Sequence, residues 1–128
     1  MPLTHQSRVL IIDDEPGIVD LLSYALSKEG VQVVAVSNVE DGLAEFRELA
    51  YHLVITDIFM SGMGGIEGIR AMRFARPDIK ILAISGGYSE MTPEDALLAA
   101  RKLGADAALS KPFLMPDLLD TVRQLLES

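Results

Sequence analysis

The chain has no cysteine among its 128 residues, and this excludes disulfides, thiolate nucleophiles and zinc sites built on thiolates. It also has no apolar run that approaches the roughly 20 residues of a membrane span. The amino-terminal residues MPLTHQSR lack the long apolar stretch of a secretory signal. We therefore expect a cytoplasmic protein without a membrane-bound segment.

Basic residues are few, with 11 Lys and Arg against 19 Asp and Glu and a formal net charge of −8. A chain of this sign lacks the broad basic surface that binds a phosphate backbone, so we expect no direct nucleic-acid partner. Apolar residues make up 49% of the chain, which is typical of a globular domain of this length. We expect a single domain over residues 1–128, with a core from about 8 to 126 and no room for an output domain.

Short β-branched runs alternate with longer amphipathic stretches, which predicts repeated strand and helix units. The predicted strands are 9–12, 31–36, 52–56, 79–84 and 106–110. A first helix, which Asp14 can cap, ends at Gly30, and further helices are predicted at 39–49, 66–74, 93–103 and 114–126. Right-handed crossovers then predict an α/β fold, a flavodoxin-like doubly wound domain with a five-stranded parallel sheet of order 2-1-3-4-5 and five helices.

Polar residues stand at the carboxyl ends of four of these strands: Asp13 and Asp14, Asp57, Ser85 and Lys111. Ligands of doubly wound sheets bind outside these ends, where the strand order reverses. Three carboxylates that face one point suit a hard divalent cation, and a site with few protein ligands suits Mg²⁺. Taken singly, each residue also has an ordinary explanation as a helix cap, a turn residue or a solvated charge.

Together these motifs resemble the receiver domains of two-component response regulators. The resemblance extends from about Arg8 to Leu126 and rests on DD at 13 and 14, D at 57, S at 85 and KPF at 111–113. It implies that Asp57 is the phosphoacceptor and that a sensor histidine kinase or a phosphotransfer protein supplies the phosphoryl group. It also implies a downstream protein target that binds the surface of helix 4, strand 5 and helix 5.

The resemblance further implies Mg²⁺ as the cofactor. Asp14 and Asp57 would bind it with the backbone carbonyl of Phe59, while Asp13 would act mainly through water. The backbone N–H groups of Phe59 and Gly86 would bind the phosphoryl group.

Two side chains complete the site that the resemblance implies. Lys111 would pair with one phosphoryl oxygen, and Ser85 would donate a hydrogen bond to another. The Lys111–Pro112 bond is expected to be cis. We expect Lys111 to contribute little to folding.

The sequence departs from the family pattern at three positions. Ser61 and Gly64 stand where many receivers have proline and aspartate, which predicts a looser turn after Asp57. Ala108 stands where the family usually has Tyr or Phe, and it has no ring to move when the site is phosphorylated. Signalling through the loop at residues 86–92 is one alternative, with Tyr88 as the nearby aromatic; an exposed loop tyrosine without a role is the other.

The sequence thus favours a stand-alone receiver domain: a phosphorylation-controlled binding or relay module that assists its own phosphorylation and dephosphorylation but is not otherwise an enzyme. Two alternatives remain open. One is a flavodoxin-like flavin carrier, although the predicted rim offers carboxylates where a phosphate loop offers hydroxyls and N–H groups. The other is a Mg²⁺-dependent phosphatase with an aspartyl nucleophile, which would normally need two acids spaced as Asp-x-Asp.

Overall fold

The computed structural model describes residues 7–58, 64–85, 92–102 and 104–127. The strands are β1 (Arg8–Ile12), β2 (Gln32–Val36), β3 (Leu53–Asp57), β4 (Lys80–Ser85) and β5 (Ala107–Ser110). The helices are α1 (Pro16–Lys28), α2 (Val39–Glu48), α3 (Gly65–Ala75), α4 (Pro93–Lys102) and α5 (Met115–Glu127). Every predicted element is present, and its ends differ from the prediction by at most two residues.

The five strands form one parallel sheet in the order β2-β1-β3-β4-β5. This order confirms the predicted doubly wound α/β fold. Because β1 pairs with β2 on one side and with β3 on the other, the winding direction reverses between β1 and β3. A crevice therefore opens at the carboxyl ends of these two strands.

Strand β1 is buried on both faces. Val9 and Ile11 pack into the layer formed by α1 and α5, whereas Leu10 and Ile12 pack into the layer formed with α2, α3 and α4. All four side chains have no exposed surface. Alternate residues of a strand point to opposite faces, so an unbroken apolar run is what a central parallel strand requires.

The start of α1 differs from the prediction. The extended residue before the helix is Glu15, its side chain makes no capping hydrogen bond, and Pro16 is the first helical residue. Proline suits this position because its φ is preset and it has no N–H to satisfy. The predicted cap at Asp14 is therefore wrong, since that residue lies one position too early. Asp13 instead accepts a hydrogen bond from the backbone N–H of Glu15 at 2.9 Å.

Strand β5 begins at Ala107, and the residue before it, Asp106, binds β4 and α3 through its side chain. An Asp106 carboxylate oxygen accepts from the backbone N–H of Ile81 and from the guanidinium of Arg73, each at 2.8 Å. Arg73 also donates to the carbonyls of Ile79 and Gly104. One arginine of α3 thus ties the beginnings of β4 and β5 together. Within the described ranges, no helix combines the length and the apolar character that crossing a bilayer requires.

Candidate functional site

The crevice brings the predicted carboxylates together. Asp13 directly follows β1, and Asp57 is the last residue of β3; the register pairs Ile12 with Thr56. The parallel register therefore places the two aspartates at the same level of the sheet. One carboxylate oxygen each of Asp13, Asp14 and Asp57 lies within 4.8 Å of the others.

The three carboxylates differ in exposure. The side chains of Asp13 and Asp57 are 2% and 1% exposed, whereas Asp14 is exposed to solvent. Two buried anions therefore lie next to each other at the end of the central strands. Such an arrangement is stable only where a cation offsets the repulsion and the loss of hydration.

Lys111 supplies one cation. Its Nζ lies 2.8 Å from Asp57 Oδ2, 2.8 Å from Glu15 Oε1 and 3.2 Å from Asp13 Oδ2, and its side chain is only 9% exposed. Burial alone would lower the pKa of Lys111, but hydrogen bonds to Asp57 and Glu15 outweigh burial and raise it. The side chain is therefore a fixed ammonium inside the carboxylate cluster.

The backbone also fixes Lys111 beside β4. The Lys111–Pro112 bond is cis, as the resemblance implied. The backbone N–H of Lys111 donates to the carbonyl of Ser85 at 2.7 Å. Ser85 is the last residue of β4 and is completely buried, so it lies next to Lys111 at the same edge of the sheet.

Asp13 is the least well compensated of the buried carboxylates. Burial raises its pKa, while the hydrogen bond from Glu15 and the charge of Lys111 oppose that rise. Its Oδ2 is buried and makes no hydrogen bond within the described part of the chain, although the ammonium lies 3.2 Å away. A buried oxygen without a hydrogen bond is costly unless a further cation or water approaches it.

These observations fit a divalent cation. The donors are carboxylate oxygens, which hard cations prefer, and the number of protein ligands is small, as is usual for Mg²⁺. A surface cleft of about 420 Å³ opens beside Asp13 and Asp14 and is also lined by Asp20 and Asp41. The cluster is therefore reachable from solvent.

Several predicted features lie outside the described residues: Phe59, Ser61, Gly86, Tyr88 and most of the loop at 86–92. Gly64 is described, and it precedes α3 without a side chain to cap that helix. The ion pair of Glu15 with Lys111 was not predicted from the sequence. The only indication in the sequence was that Glu15 is a third acid after Asp13 and Asp14. Nothing in the neighbouring residues indicates that its partner is Lys111.

Ala108 lies in β5, where it pairs with Ala83 and packs partly against the core. At this position the sheet is bordered by a surface cavity of about 260 Å³ between α4 and β5. The structure therefore has open space next to a position where the family usually has an aromatic ring.

The sheet order and the carboxylate–ammonium cluster together define a class of protein. It is a doubly wound α/β domain with an acidic pocket, suited to a cation, at the point where the strand order reverses. The family model described as response regulator receiver domain matches residues 9–123. The chain belongs to the response regulator receiver domain family of two-component systems.

Similar proteins agree with this assignment. The chain is 30% identical over 118 residues to the sensory transduction protein RegX3 of Mycolicibacterium smegmatis, covering 92% of this chain and 50% of that protein. It is 30% identical over 119 residues to sporulation initiation phosphotransferase F of Bacillus subtilis, covering 93% of each. The chain thus spans about half the length of the first of these relatives and nearly all of the second.

A similar solved structure is the response regulator protein TrrA of Thermotoga maritima in complex with Mg²⁺ and BeF. It has a TM-score of 0.79 and 33% sequence identity, and the match covers 94% of this chain and 99% of that one. Receiver domains interact with histidine kinases or phosphotransfer proteins. They bind Mg²⁺ in the acidic pocket.

Proposed function

We propose that Asp57 is the residue of this chain that is phosphorylated. The observation that carries the proposal is the buried Asp57 carboxylate, held 2.8 Å from the Lys111 ammonium among the oxygens of Asp13 and Asp14. A fixed carboxylate can attack phosphorus in line. The nearby positive charge offsets the negative charge of the incoming phosphoryl group.

In the proposed step, an Asp57 carboxylate oxygen forms a bond to phosphorus while the bond between phosphorus and the donor's histidine nitrogen breaks. The electron pair of that bond returns to the imidazole. Lys111 then pairs with a phosphoryl oxygen, and the Ser85 hydroxyl donates to another. In the reverse change of state, water attacks phosphorus, the bond from phosphorus to the Asp57 oxygen breaks, and inorganic phosphate leaves a free carboxylate.

The cation is assigned to the same pocket. Mg²⁺, bound by Asp14, Asp57 and the Phe59 carbonyl with Asp13 acting through water, would supply positive charge against the phosphoryl oxygens. The similar TrrA structure, which contains Mg²⁺ and BeF, supports this assignment. The backbone N–H groups of Phe59 and Gly86 are proposed to complete the phosphoryl contacts.

The phosphodonor is proposed to be a sensor histidine kinase or a phosphotransfer protein. Among the described residues, the cleft beside the site is lined by four aspartates, Asp13, Asp14, Asp20 and Asp41, and by no lysine or arginine. This charge favours a donor that presents basic groups around its phosphohistidine. The output is proposed to be the binding of a target protein at the surface of α4, β5 and α5, or transfer of the phosphoryl group along a relay.

Phosphotransfer tests the proposal directly. A panel of purified histidine kinases, each autophosphorylated with labelled ATP, should include one that transfers label to this chain within minutes. Acetyl phosphate with Mg²⁺ should also add one phosphoryl mass. Asp57→Asn should abolish both additions, whereas label that persists in this variant would reject Asp57 as the acceptor.

The same preparations discriminate the two alternatives left open by the sequence. A bound flavin would give the purified protein a yellow absorbance spectrum. A phosphatase would turn over a phosphate ester many times in the presence of Mg²⁺. We expect neither, because the family to which the chain belongs uses the pocket for phosphorylation of the protein itself.

A further inference from the structure

Bases are concentrated at the end of the sheet where the strands begin. Helices α1–α4 each run from the carboxyl end of one parallel strand to the amino end of the next, so their last turns lie at this amino end. Each of these last turns carries a base, and the set is Lys28, Arg47, Arg73, Arg101 and Lys102. The amino end of the sheet is therefore better suited to an anion than the carboxyl end with its aspartates, although the net charge of the chain is −8.

A surface cavity of about 410 Å³ lies at this amino end, at the opposite end of the sheet from the carboxylate cluster. It lies between the residues that precede β1, β3 and β4 and the last turn of α5. Its apolar wall consists of Tyr51, Ile79, Leu125 and Leu126, of which the first two are buried. This volume and this wall suit a small organic molecule.

Arg76 lines the cavity with a guanidinium that is already held in place. It lies 4.6 Å from the centre of the Phe46 ring and donates to the carbonyls of Phe46 and Leu49, at 3.1 and 3.2 Å. Both hydrogen bonds come from Nη2, and within the described residues Nη1 makes none. These contacts restrict the guanidinium without neutralising it, so it loses little entropy when it binds an anion.

Lys80 and His52 add two further donors to the cavity. Within the described part of the chain, neither Lys80 nor Arg76 belongs to an ion pair. The backbone N–H of Arg8 donates to His52 Nδ1 at 3.0 Å, so the neutral imidazole carries its own proton on Nε2. Asp78 also lines the cavity and is exposed. Two cations against one carboxylate leave the lining with a net positive charge.

We propose that this cavity binds a small organic monoanion, a carboxylate attached to an apolar body. The carboxylate accepts from Arg76 and Lys80, and the apolar body packs against Leu125 and Leu126. The fork of an arginine matches the two oxygens of a carboxylate. A doubly charged phosphate suits the cavity less well, because Asp78 offsets one of its two cations.

The proposed site is separate from the phosphorylation site. His52 directly precedes β3, whereas Asp57 is the last residue of that strand. The ligand therefore binds whether or not Asp57 is phosphorylated, and failure of either proposal leaves the other unaffected.

Nuclear magnetic resonance titration of the full chain tests the proposal, with naphthalene-2-carboxylate as the probe. The backbone N–H signals of residues 50–52, 78–80 and 125–126 should shift until they saturate. A ligand of this size should have a dissociation constant of about 1 mM. Naphthalene-2-carboxamide has the same body without the charge and should bind at least about tenfold more weakly. Naphthyl phosphate should bind no more tightly than the carboxylate.

Four variants test the roles of the charges. Lys80→Gln should weaken binding of the carboxylate about fivefold, and Arg76→Gln at least about tenfold. Lys28→Gln makes the same change in net charge at an exposed base outside the cavity, and it should leave the affinity within about twofold. Asp78→Asn should tighten binding about threefold, because it removes a charge that repels the ligand. A gain in affinity cannot come from a loss of folding.

Circular dichroism checks that each variant is folded. The proposal is overturned if the carboxylate causes no saturable shift of these signals up to about 10 mM, or if the carboxamide binds equally well. Equal affinity in the unmodified protein and in Lys80→Gln, Arg76→Gln and Asp78→Asn would also overturn it. Tighter binding of naphthyl phosphate than of the carboxylate would contradict a site for a monoanion.

Discussion

Lys111 Nζ lies 2.8 Å from Asp57 Oδ2, which joins the loop after β5 to the end of the central strand β3. The ammonium is the cation that the described residues place between Asp57 and Asp13, whose side chains are almost completely buried. This contact therefore serves two purposes. It compensates the buried carboxylates before phosphorylation, and it leaves a donor in place for the phosphoryl group.

Removing Lys111 should destabilise the metal-free protein. The expectation from the sequence, that Lys111 contributes little to folding, does not allow for its burial. Lys111→Ala leaves Asp13 and Asp57 buried without a cation, so we expect a loss of about 3 kcal/mol in chelator. Chemical denaturation measures it, and Lys28→Ala, which removes an exposed lysine, should change stability by less than about 0.5 kcal/mol. Equal effects of the two substitutions would contradict this role.

Neutralising Asp13 should have the opposite effect. Asp13→Asn removes a buried charge while Asp57 and Glu15 still compensate Lys111, so the metal-free protein should become more stable by about 1 kcal/mol at neutral pH. The pKa of Asp13 is raised by burial. The folded protein therefore keeps the proton of the Asp13 carboxyl group to a higher pH than the unfolded chain does. As the pH rises through the raised pKa, this group becomes charged and the free energy of unfolding falls.

The advantage of Asp13→Asn should accordingly shrink as the pH falls through the raised pKa of Asp13. Denaturation of both proteins in chelator over a series of pH values measures this dependence. A difference in stability that stays constant with pH would show that the carboxylate charge is not its cause.

Mg²⁺ should stabilise the unmodified protein. A ligand that binds only the folded state raises the melting temperature. At a ligand concentration one hundred times the dissociation constant, the free energy of unfolding rises by about 2.7 kcal/mol. Asp14→Asn should lose most of this rise. Because Asp14 is exposed and caps no helix, the same substitution should change the metal-free stability less than Asp13→Asn does. If Mg²⁺ raises the melting temperature of the variant as much as that of the unmodified protein, Asp14 does not bind the cation.

Glu15 should be dispensable. Its side chain is 41% exposed, so solvent screens its ion pair with Lys111. We expect Glu15→Gln to lower stability by less than about 1 kcal/mol. Phosphorylation by acetyl phosphate should continue at a rate within about threefold of the unmodified protein, because Asp57 still holds Lys111. A complete loss of phosphorylation would show that the Glu15 carboxylate is required for the reaction.

The fold was predictable because each element carries its own local signal. A fully apolar run such as Val9–Ile12 predicts a central strand, and Gly30 predicts the end of α1, where its φ of 92° suits glycine. The spacing of Asp13 and Asp57 from their strands also predicted their approach, because parallel strands end at one edge. These features depend on period and position, which a sequence displays directly.

The contacts of long side chains were not predictable in the same way. Neither the pairing of Glu15 with Lys111 nor the contacts of Arg73 with Gly104 and Asp106 leaves a local pattern. The failed cap at Asp14 has a related cause, since Pro16 shifts the start of α1 by one residue. Side-chain partners depend on the packed structure, whereas strand and helix periods do not.

The most direct test of the central claim is to locate the phosphoryl group. The protein is phosphorylated with acetyl phosphate and Mg²⁺ and then reduced with borohydride, which converts an aspartyl phosphate to homoserine. Peptide mass spectrometry should find homoserine at position 57 alone. Homoserine at position 13 or 14, or a phosphorylated protein without homoserine at position 57, would contradict the assignment of Asp57 as the phosphoacceptor.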